Sequence, residues 1–435
     1  MGRRLPQLPP PLLLLRDLGV AATLGVASCG EPDDPAPSSR AGFWFAERGA
    51  ETRDAIGSLG YAAGYEPAAG RWTGLRVHDP ESAFLEPLLF SSGHEAAAYL
   101  LLPDGTIERR WALSEATNGR EAGPRIQHPT QRAWRRIQEL PDGDLLVIHE
   151  GLCVMRLAPN STIRWRAAPG AHHDFLVEGD SAWVLDRTVT PLTTSEREWL
   201  GGLEAQVARD GLVRISLEDG RAMERASLTE LEGGEDWIRT YRDALKRARS
   251  VDIGDARPGG ALHQALDPLH SNALVRLHPE QRVPSVFLRE AGALVDVAPG
   301  LSSIERLRAG PFIGAHDPQL DPLSGGVLLF DNFGDSGVGS RILALDVGLQ
   351  AAELVFQGSA EAPFFSPVCG TVLPLPGDRL LVVESTAGRA LQIDREGRIL
   401  WEFRTPFRLP EEDLVAVLLD MRPRGEAGEA QPADR

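Results

Sequence analysis

Lysine is almost missing from this sequence, because Lys246 is the only one among 435 residues. Its scarcity argues against a phosphate-loop lysine and a Schiff-base lysine, although a compositional preference for arginine also accounts for it. Positive charge is scarce too, since 45 Lys and Arg face 62 Asp and Glu and leave a net charge of −17. No basic stripe offsets this excess, so nucleic acid is not an expected partner and a small molecule is.

Long apolar runs are confined to the N-terminal region, where Arg3 and Arg4 precede a segment typical of a signal peptide. Residues 18–28 have the length of a signal-peptide core and are too short to span a membrane as a stable helix. The following Cys29 closes Val26-Ala-Ser-Cys29, which is similar to the bacterial lipobox. We therefore expect a lipoprotein signal peptide over residues 1–28 and lipidation of Cys29. A plain secretory signal with an incidental cysteine is the alternative.

Residues 29–42 are polar and rich in proline, which is typical of a flexible tether and not of a packed core. Together with the lipobox, the tether predicts a lipoprotein that faces the periplasm in the cell envelope, with the outer membrane preferred to the inner one. Only Cys153 and Cys369 then remain in an oxidising compartment, where they could pair or stay buried as free thiols. The sequence leaves that choice and the oligomeric state open.

Turn residues are abundant, with 45 Gly and 33 Pro beside 42% hydrophobic residues, so the body is folded and rich in turns. Two kinds of unit repeat: Leu-Pro-Asp-Gly turns, at 102–105 and 140–143 and in altered form at 375–378, and alternating strands that run into Asp-Gly or Glu-Gly. Each unit predicts a β-hairpin, because glycine supplies positive φ and alternation supplies one buried face. Blades of about 40–45 residues would repeat about six times along residues 43–420.

The predicted fold is therefore an all-β, six-bladed β-propeller with short helical insertions, followed by a disordered tail over residues 421–435. Three tryptophans that close hairpins, Trp111, Trp165 and Trp401, are expected to pack between blades. Helical insertions are predicted at 195–200, opening with a capping box at Ser195, and at 235–250. These insertions could roof a site or pack on the outside of the propeller.

One histidine, His316, stands just before a predicted hairpin. Residues 327–330 are an apolar run between Gly and Asp-Asn turns, and residues 342–345 are its expected partner strand. Other polar residues that flank predicted strands are His172, His173, His270, Asn272 and Arg289. A propeller brings such loops from different blades to one axial mouth, so these residues are expected to converge there.

In the order and spacing of these segments the chain resembles the bacterial arylsulfate sulfotransferase family, over roughly residues 153–403. The segments that carry the resemblance are His172-His173-Asp174, Asp267-Pro-Leu-His270-Ser-Asn272, Leu288-Arg289, Ala315-His316, Phe330-Asp331-Asn332, Ser340-Arg341, Leu375-Pro-Gly-Asp378 and Gln392-Ile-Asp394 with Gly397 and Trp401. The chain departs from the family pattern at Pro268, at Ala315 and at 376–378, which implies a reshaped substrate mouth.

The resemblance implies transfer of a sulfuryl group from an aryl sulfate to a phenol, without a nucleotide donor, through a sulfohistidine on His316. Arg289, His270 and His173 are then expected to be catalytic, and Asn272 and His172 to bind substrate. No cofactor and no metal are expected. The expected partners are the aryl sulfate, the phenol and, through the lipid anchor, a membrane.

Two other classes of function are open. A non-catalytic lipoprotein propeller of the cell envelope, acting as a binding or scaffold module, needs the blades and the anchor but has no use for clustered histidines and an arginine. A quinoprotein-like dehydrogenase shares the Asp-x-x-Gly…Trp hairpin but needs cofactor-stacking and Ca²⁺-binding residues that the sequence does not reveal.

Overall fold

A computed structural model describes residues 64–425 of the chain, except for 69, 114–132, 254–264, 311, 313, 335–338, 361 and 410–412. The side chains of Pro67 and of residues 250–253 are outside this description. The predicted signal peptide, Cys29, the tether and the predicted domain start at Phe43 lie outside the described residues, as does the chain beyond residue 425.

The described residues form short strands and two helices. The helices are α1 (Thr194–Trp199) and α2 (Glu235–Ile253). The strands are β1 (Tyr65–Pro67), β2 (Gly74–Val77), β3 (Leu88–Ser92), β4 (Ala97–Leu101), β5 (Ile107–Ala112), β6 (Trp134–Glu139), β7 (Leu145–His149), β8 (Cys153–Leu157), β9 (Ile163–Ala167), β10 (Ala171–Glu178), β11 (Ser181–Pro191), β12 (Gln206–Ser216), β13 (Ala222–Ser227), β14 (Ser271–Val275), β15 (Ser285–Leu288), β16 (Ala293–Val297), β17 (Ile304–Ala309), β18 (His316–Leu320), β19 (Val327–Asp331), β20 (Arg341–Leu345), β21 (Ala352–Gln357), β22 (Thr371–Leu375), β23 (Arg379–Glu384), β24 (Arg389–Ile393), β25 (Ile399–Arg404), β26 (Arg408–Leu409), β27 (Leu414–Ala416) and β28 (Leu418–Pro423).

Most of these strands pair as antiparallel sheets of four. The orders are β28-β3-β4-β5, β6-β7-β8-β9, β10-β11-β12-β13, β14-β15-β16-β17 and β18-β19-β20-β21, and β22 to β25 carry β2 as a fifth, outer strand. The strands β1, β27 and β26 form a separate small sheet in the order β1-β27-β26. The hairpin predicted around residues 327–345 is confirmed, since β19 pairs with β20 and Val327 faces Leu345.

The sheets follow one another around a circle. The first strand of each sheet contacts the next sheet, and β28 contacts both β6 and the sheet of β22–β25, so the circle returns to its start. The fold is a β-propeller, as predicted. In the part of the chain that the structure describes, six of the seven sheets have four or five strands, whereas the count of six blades stays a prediction. The first sheet joins the C-terminal strand β28 to the N-terminal strands β3–β5.

Apolar side chains fill the spaces between neighbouring sheets, and the three tryptophans pack there as predicted. Trp111 is fully buried among residues of the β3–β5 and β6–β9 sheets. Trp401 packs between the last sheet and the first. The indole N–H of Trp165 donates to the carbonyl of Leu217 in the next sheet, at 3.0 Å. These contacts join the sheets through buried apolar area, which is the main stabilising term.

Three predicted boundaries need correction. The capping box of α1 begins at Thr193, because Glu196 stands at its third helical position and both reciprocal hydrogen bonds form there, not at Ser195. Helix α2 continues to Ile253 instead of ending at residue 250. Strand β28 continues to Pro423, past the predicted domain end at 420, because Arg422 and Pro423 still pair with Leu89 and Leu88.

Cys153 and Cys369 are both free thiols, so of the two open alternatives the unpaired one holds. Within the described ranges no helix is long and apolar enough to cross a membrane.

Candidate functional site

The site is built on irregularities at the start of the inner strands, which are β28, β6, β10, β14, β18 and β22. The pairing of β10, β14 and β18 with their neighbours shifts register at this end. Three residues at these places, His173, His270 and Asp317, have φ of 56°, 47° and 51°. A bulge of this kind re-aims side chains, and positive φ outside glycine costs about 1–3 kcal/mol per residue. Interactions of the surrounding structure therefore offset this strain at the positions where the predicted site residues lie.

Three of the predicted histidines touch one another. The rings of His172 and His173 meet edge to face with centroids 5.1 Å apart, and His173 meets His270 in the same way at 5.2 Å. All three side chains are buried. His270 is oriented by Asp267, whose carboxylate accepts from Nδ1 at 2.8 Å and from the backbone N–H of His270 at 3.2 Å. Two adjacent sheets therefore contribute to one cluster of imidazoles.

His316, the first residue of β18, is held by Asn332. The amide nitrogen of Asn332 donates to the carbonyls of Ser366 and Cys369, at 2.7 and 2.6 Å, so its oxygen must face His316. That oxygen lies 2.8 Å from Nδ1 of His316 and can only accept a hydrogen bond. Nδ1 therefore carries the proton, and Nε2 of His316 holds the lone pair.

Arg289 follows β15 and lies beside Gly314, which precedes β18. A Cβ at Gly314 would stand 2.8 Å from the ring of Phe333 and 3.6 Å from Nη2 of Arg289, and Gly314 has a φ of +79°. Only glycine fits there without moving those groups. One guanidinium nitrogen of Arg289 donates to Glu290 at 2.5 Å, whereas Nε is buried without a hydrogen-bond partner among the described residues.

Asn272 links the second histidine segment to the third. Its side-chain nitrogen donates to the carbonyl of Ala315, next to His316, at 2.9 Å. Its Oδ1 is buried and has no hydrogen-bond partner within the described ranges. With this contact, the structure brings together His172, His173, His270, Asn272, Arg289 and His316. Of the predicted site residues only Cys29 lies outside the description.

Burial keeps the imidazoles neutral. It lowers the pKa of His316 well below its usual range, and the charge of Arg289 lowers it further. Burial also lowers the pKa of His172 to about 3, lowers that of His173, and lowers that of His270 although Asp267 opposes the change. At neutral pH the site therefore contains bases and nucleophiles and no imidazolium.

A buried arginine that the sequence did not single out lies under the histidines. Arg136 of β6 pairs with Asp174, Asp317 and Asp420, at 2.6, 2.7 and 3.3 Å. Asp174 and Asp317 also accept backbone N–H groups from β14 and β22. All six inner strands thus meet in one polar network. No local sequence pattern singles out Arg136, because strand 134–139 reads Trp-Arg-Arg-Ile-Gln-Glu and carries several other polar residues.

Glu150 is a second residue that the sequence did not indicate. It follows β7, and its Oε2 accepts the backbone N–H of His173 at 3.0 Å. Ligand atoms of Glu150, His172 and His173 all lie within 4.8 Å of one another, an arrangement that could hold a metal ion. The expectation of no metal site did not anticipate this cluster and stays a prediction. A glutamate directly after an apolar strand was its only sequence signal.

The two helices pack near the loops of the site. Trp237 and Tyr241 of α2 are buried in a cluster with Leu269, which precedes His270. Arg247 of α2 donates to the carbonyl of Glu290, next to Arg289, at 2.9 Å. Helix α2 therefore contacts two of the segments that carry site residues.

A cavity of about 330 Å³ lies where α1 and α2 meet β11 and β12, lined by Trp199, Arg209 and Tyr241 among others.

Comparisons with known proteins give no family for this chain. No protein-family model matches it, and no curated protein matches it. Solved structures with partial likeness include a protein of unknown function from Bacteroides caccae, with 10% identity, a TM-score of 0.41, and coverage of 74% of this chain and 94% of that one.

Two further solved structures are BamB from Moraxella catarrhalis and the β-propeller domain of Cps50 (Swd1) from Myceliophteria thermophila. BamB has 9% identity and a TM-score of 0.36, with coverage of 80% of this chain and 97% of that one. The Cps50 domain has 10% identity and a TM-score of 0.39, with coverage of 82% and 99%. Likeness this weak carries no argument about this chain, so its fold is assigned from its own sheets.

Proposed function

We propose that this protein transfers a sulfuryl group from an aryl sulfate to a phenol through a covalent intermediate on His316. The observation that carries the proposal is the fixed tautomer of His316, whose Nε2 keeps its lone pair because Asn332 accepts from Nδ1. A neutral imidazole with a defined lone pair is a competent nucleophile, and burial holds this one neutral.

In the first half-reaction Nε2 of His316 attacks sulfur. An N–S bond forms, the S–O bond to the aryl oxygen breaks, and the phenolate leaves with that electron pair. In the second half-reaction the oxygen of the acceptor phenol attacks sulfur and the N–S bond breaks. The acceptor's proton passes to a neutral imidazole nearby, His173 or His270.

Arg289 supplies the positive charge for this chemistry. Its guanidinium is close enough to lower the pKa of His316, and its buried Nε has no hydrogen-bond partner in the described part of the chain. The oxygens of a transferring sulfuryl group are anionic and would accept from that N–H. Fixed donors in a water-poor site stabilise developing charge better than water does. Asn272 and His172 would complete the binding of the group.

The anchor and the cellular location belong to the same proposal. Lipidation at Cys29 and the tether over residues 29–42 would hold the propeller at the periplasmic face of a cell-envelope membrane, preferably the outer one. Replacement of Cys29 by Ser would then release the protein from membranes.

The test of the chemistry is rapid mixing of the purified full chain with p-nitrophenyl sulfate. We expect a burst of nitrophenol equal to the enzyme concentration and one added sulfuryl mass on a peptide that contains His316. His316→Ala should lose both signals, whereas His278→Ala, which alters an exposed histidine, should keep them. Arg289→Ala should slow the burst by about 10²- to 10³-fold, as loss of one oxyanion donor does.

Full turnover by His316→Ala, or label confined to His173 or His270, would contradict the assignment of the nucleophile. Failure of the folded wild-type chain to transfer sulfate from any aryl sulfate tested would instead favour a non-catalytic lipoprotein propeller.

A further inference from the structure

Three side chains converge in a way that suits a metal ion: Glu150, His172 and His173. The proposed nucleophile, His316, is not one of them. Nδ1 of His172 lies 2.9 Å from Nδ1 of His173, and Nδ1 of His173 lies 3.4 Å from Oε1 of Glu150. Ligand atoms about 2.0–2.1 Å from one Zn²⁺ stand about 2.9–3.4 Å apart for angles between 90° and tetrahedral. Both measured separations fall at the ends of that range.

Glu150 has one carboxylate oxygen that receives no hydrogen bond from the described residues. Glu150 is 5% exposed, and its Oε1 is buried without a hydrogen-bond partner there. Its other oxygen is already used by the backbone N–H of His173, which fixes the carboxylate's orientation. A buried carboxylate oxygen without a donor is costly unless a cation or a proton meets it. A metal ion at this point would meet it.

The surroundings also match those of metal-bound histidines. When Nδ1 binds a metal, the opposite ring nitrogen carries a proton and commonly faces a carboxylate. Nε2 of His172 lies 3.7 Å from Oδ1 of Asp210. The charged side chains that act on the three converging residues include the positive Arg135 and Arg187 and the negative Asp210 and Asp267, beside Glu150 itself. Two positive charges face three negative ones, so the pocket can accept a dication.

We propose that Glu150, His172 and His173 bind one divalent transition-metal ion of the zinc type. Two imidazole nitrogens beside one carboxylate suit Zn²⁺ and its neighbours in the first transition row, whereas Mg²⁺ and Ca²⁺ prefer oxygen ligands alone. Three protein ligands leave a coordination position open, as in catalytic and not in closed structural zinc sites. The ring of His270 lies beside His173, so the ion would adjoin the cluster proposed for sulfuryl transfer. The metal site stands without that reaction.

The test measures metal content and binding on the full chain, purified without a polyhistidine tag. After treatment with a chelator, we expect titration with Zn²⁺ to load one ion per chain and to raise the melting temperature. Co²⁺ in place of Zn²⁺ should give visible absorption bands whose intensity reports its coordination. These readouts do not depend on sulfuryl transfer, so either proposal can fail alone.

Two variants remove ligands. Glu150→Gln keeps an acceptor for the backbone N–H of His173 and should weaken Zn²⁺ binding by about tenfold or more, as should His172→Gln. The matched control is Glu384→Gln, since Glu384 is also buried, also ends an apolar strand and also accepts a backbone N–H, from Phe365 at 2.7 Å. This control should bind Zn²⁺ like the wild type.

Three results would overturn the proposal. They are the absence of stoichiometric Zn²⁺ binding by the folded wild-type chain, unchanged binding in Glu150→Gln, and equal loss in Glu384→Gln. The first result alone decides if the ligand variants fail to fold. If the folded wild-type chain does not bind Zn²⁺, the 2.9 Å contact between Nδ1 of His172 and Nδ1 of His173 is a hydrogen bond through one shared proton.

Discussion

At the scale of single residues, the chemistry depends on which nitrogen of each imidazole carries the proton. The sequence identifies His316 but not its tautomer, because that is fixed by Asn332, sixteen residues away along the chain. Asn332 is in turn fixed by two carbonyls from a third segment. Asn332 is therefore a positioning residue for the proposed nucleophile.

The first residue-scale prediction replaces Asn332 by aspartate. A carboxylate beside Nδ1 would favour the imidazolium, so the pKa of His316 should rise and the nucleophile should be lost as pH falls. We expect the burst rate of Asn332→Asp to decline from neutral pH downward, whereas the wild-type burst should not decline through protonation of His316 in that range. The pH profile of the burst measures this. Asn332→Leu, which adds no charge, should be slower but should show no new acid limb.

At the scale of elements, a short strand of the small sheet carries an unfavourable carboxyl group. Glu66 in β1 is partly buried, and this burial raises its pKa to about 7. Between pH 4.5 and 7 the unfolded chain ionises Glu66 while the folded chain resists ionisation. The free energy of unfolding therefore falls as pH rises through this window.

Glu66→Gln should remove that loss. We expect the variant to be more stable than wild type by about 1–2 kcal/mol at pH 8, after discounting for solvent screening of a partly exposed group, and equal to it at pH 4. Urea unfolding at both values measures the difference. Glu81→Gln, at an exposed position, should change little at either pH. A constant effect of Glu66→Gln at both values would contradict the assigned ionisation.

The inner strands show a second feature at this scale, since their bulges serve both the site and the fold. His173 and Asp174 are neighbours on β10, and His316 and Asp317 are neighbours on β18. In each pair the histidine joins the candidate site and the aspartate pairs with Arg136. The positive φ at His173 and Asp317 lets consecutive side chains take these two roles.

On the scale of the whole molecule, Arg136 ties the sheets together. Arg136→Met leaves three carboxylates buried without their cation, so we expect the free energy of unfolding to fall by about 3–5 kcal/mol. Chemical denaturation measures it. Arg110→Met, which breaks an exposed pair with Glu95, should cost about 1 kcal/mol or less. Equal effects of the two variants would show that the central network does not stabilise the propeller.

Closure of the circle gives the second prediction at this scale. Strand β28 is the first strand of a sheet whose other members come from the N-terminal side. Deletion of residues 418–435 should therefore destabilise every sheet and give no cooperative unfolding transition in a thermal melt. Deletion of residues 426–435 alone should leave the transition unchanged, in line with the predicted disordered tail. A cooperative, wild-type melt after the longer deletion would exclude closure by β28.

The sequence by itself determined what depends on local pattern. Asp-Gly turns and alternating apolar residues defined hairpins such as β4–β5 and β6–β7, and repetition of the hairpins defined the propeller. The three tryptophans that close hairpins could be placed between sheets for the same reason, because each stands at a fixed point of its repeat. The six polar residues of the candidate site could be chosen because they flank strands, and a propeller brings strand ends to one mouth.

Only the tertiary structure decided what depends on contacts between distant segments. Glu150 contacts His173 from the neighbouring sheet. Asn332 contacts His316, which lies at the register shift of β18. Arg136 finds three aspartates that share no pattern with it. These partners lie up to 284 residues apart along the chain. Burial at the convergence of six inner strands, which no local pattern encodes, then makes the imidazoles neutral and the carboxylates dependent on a cation.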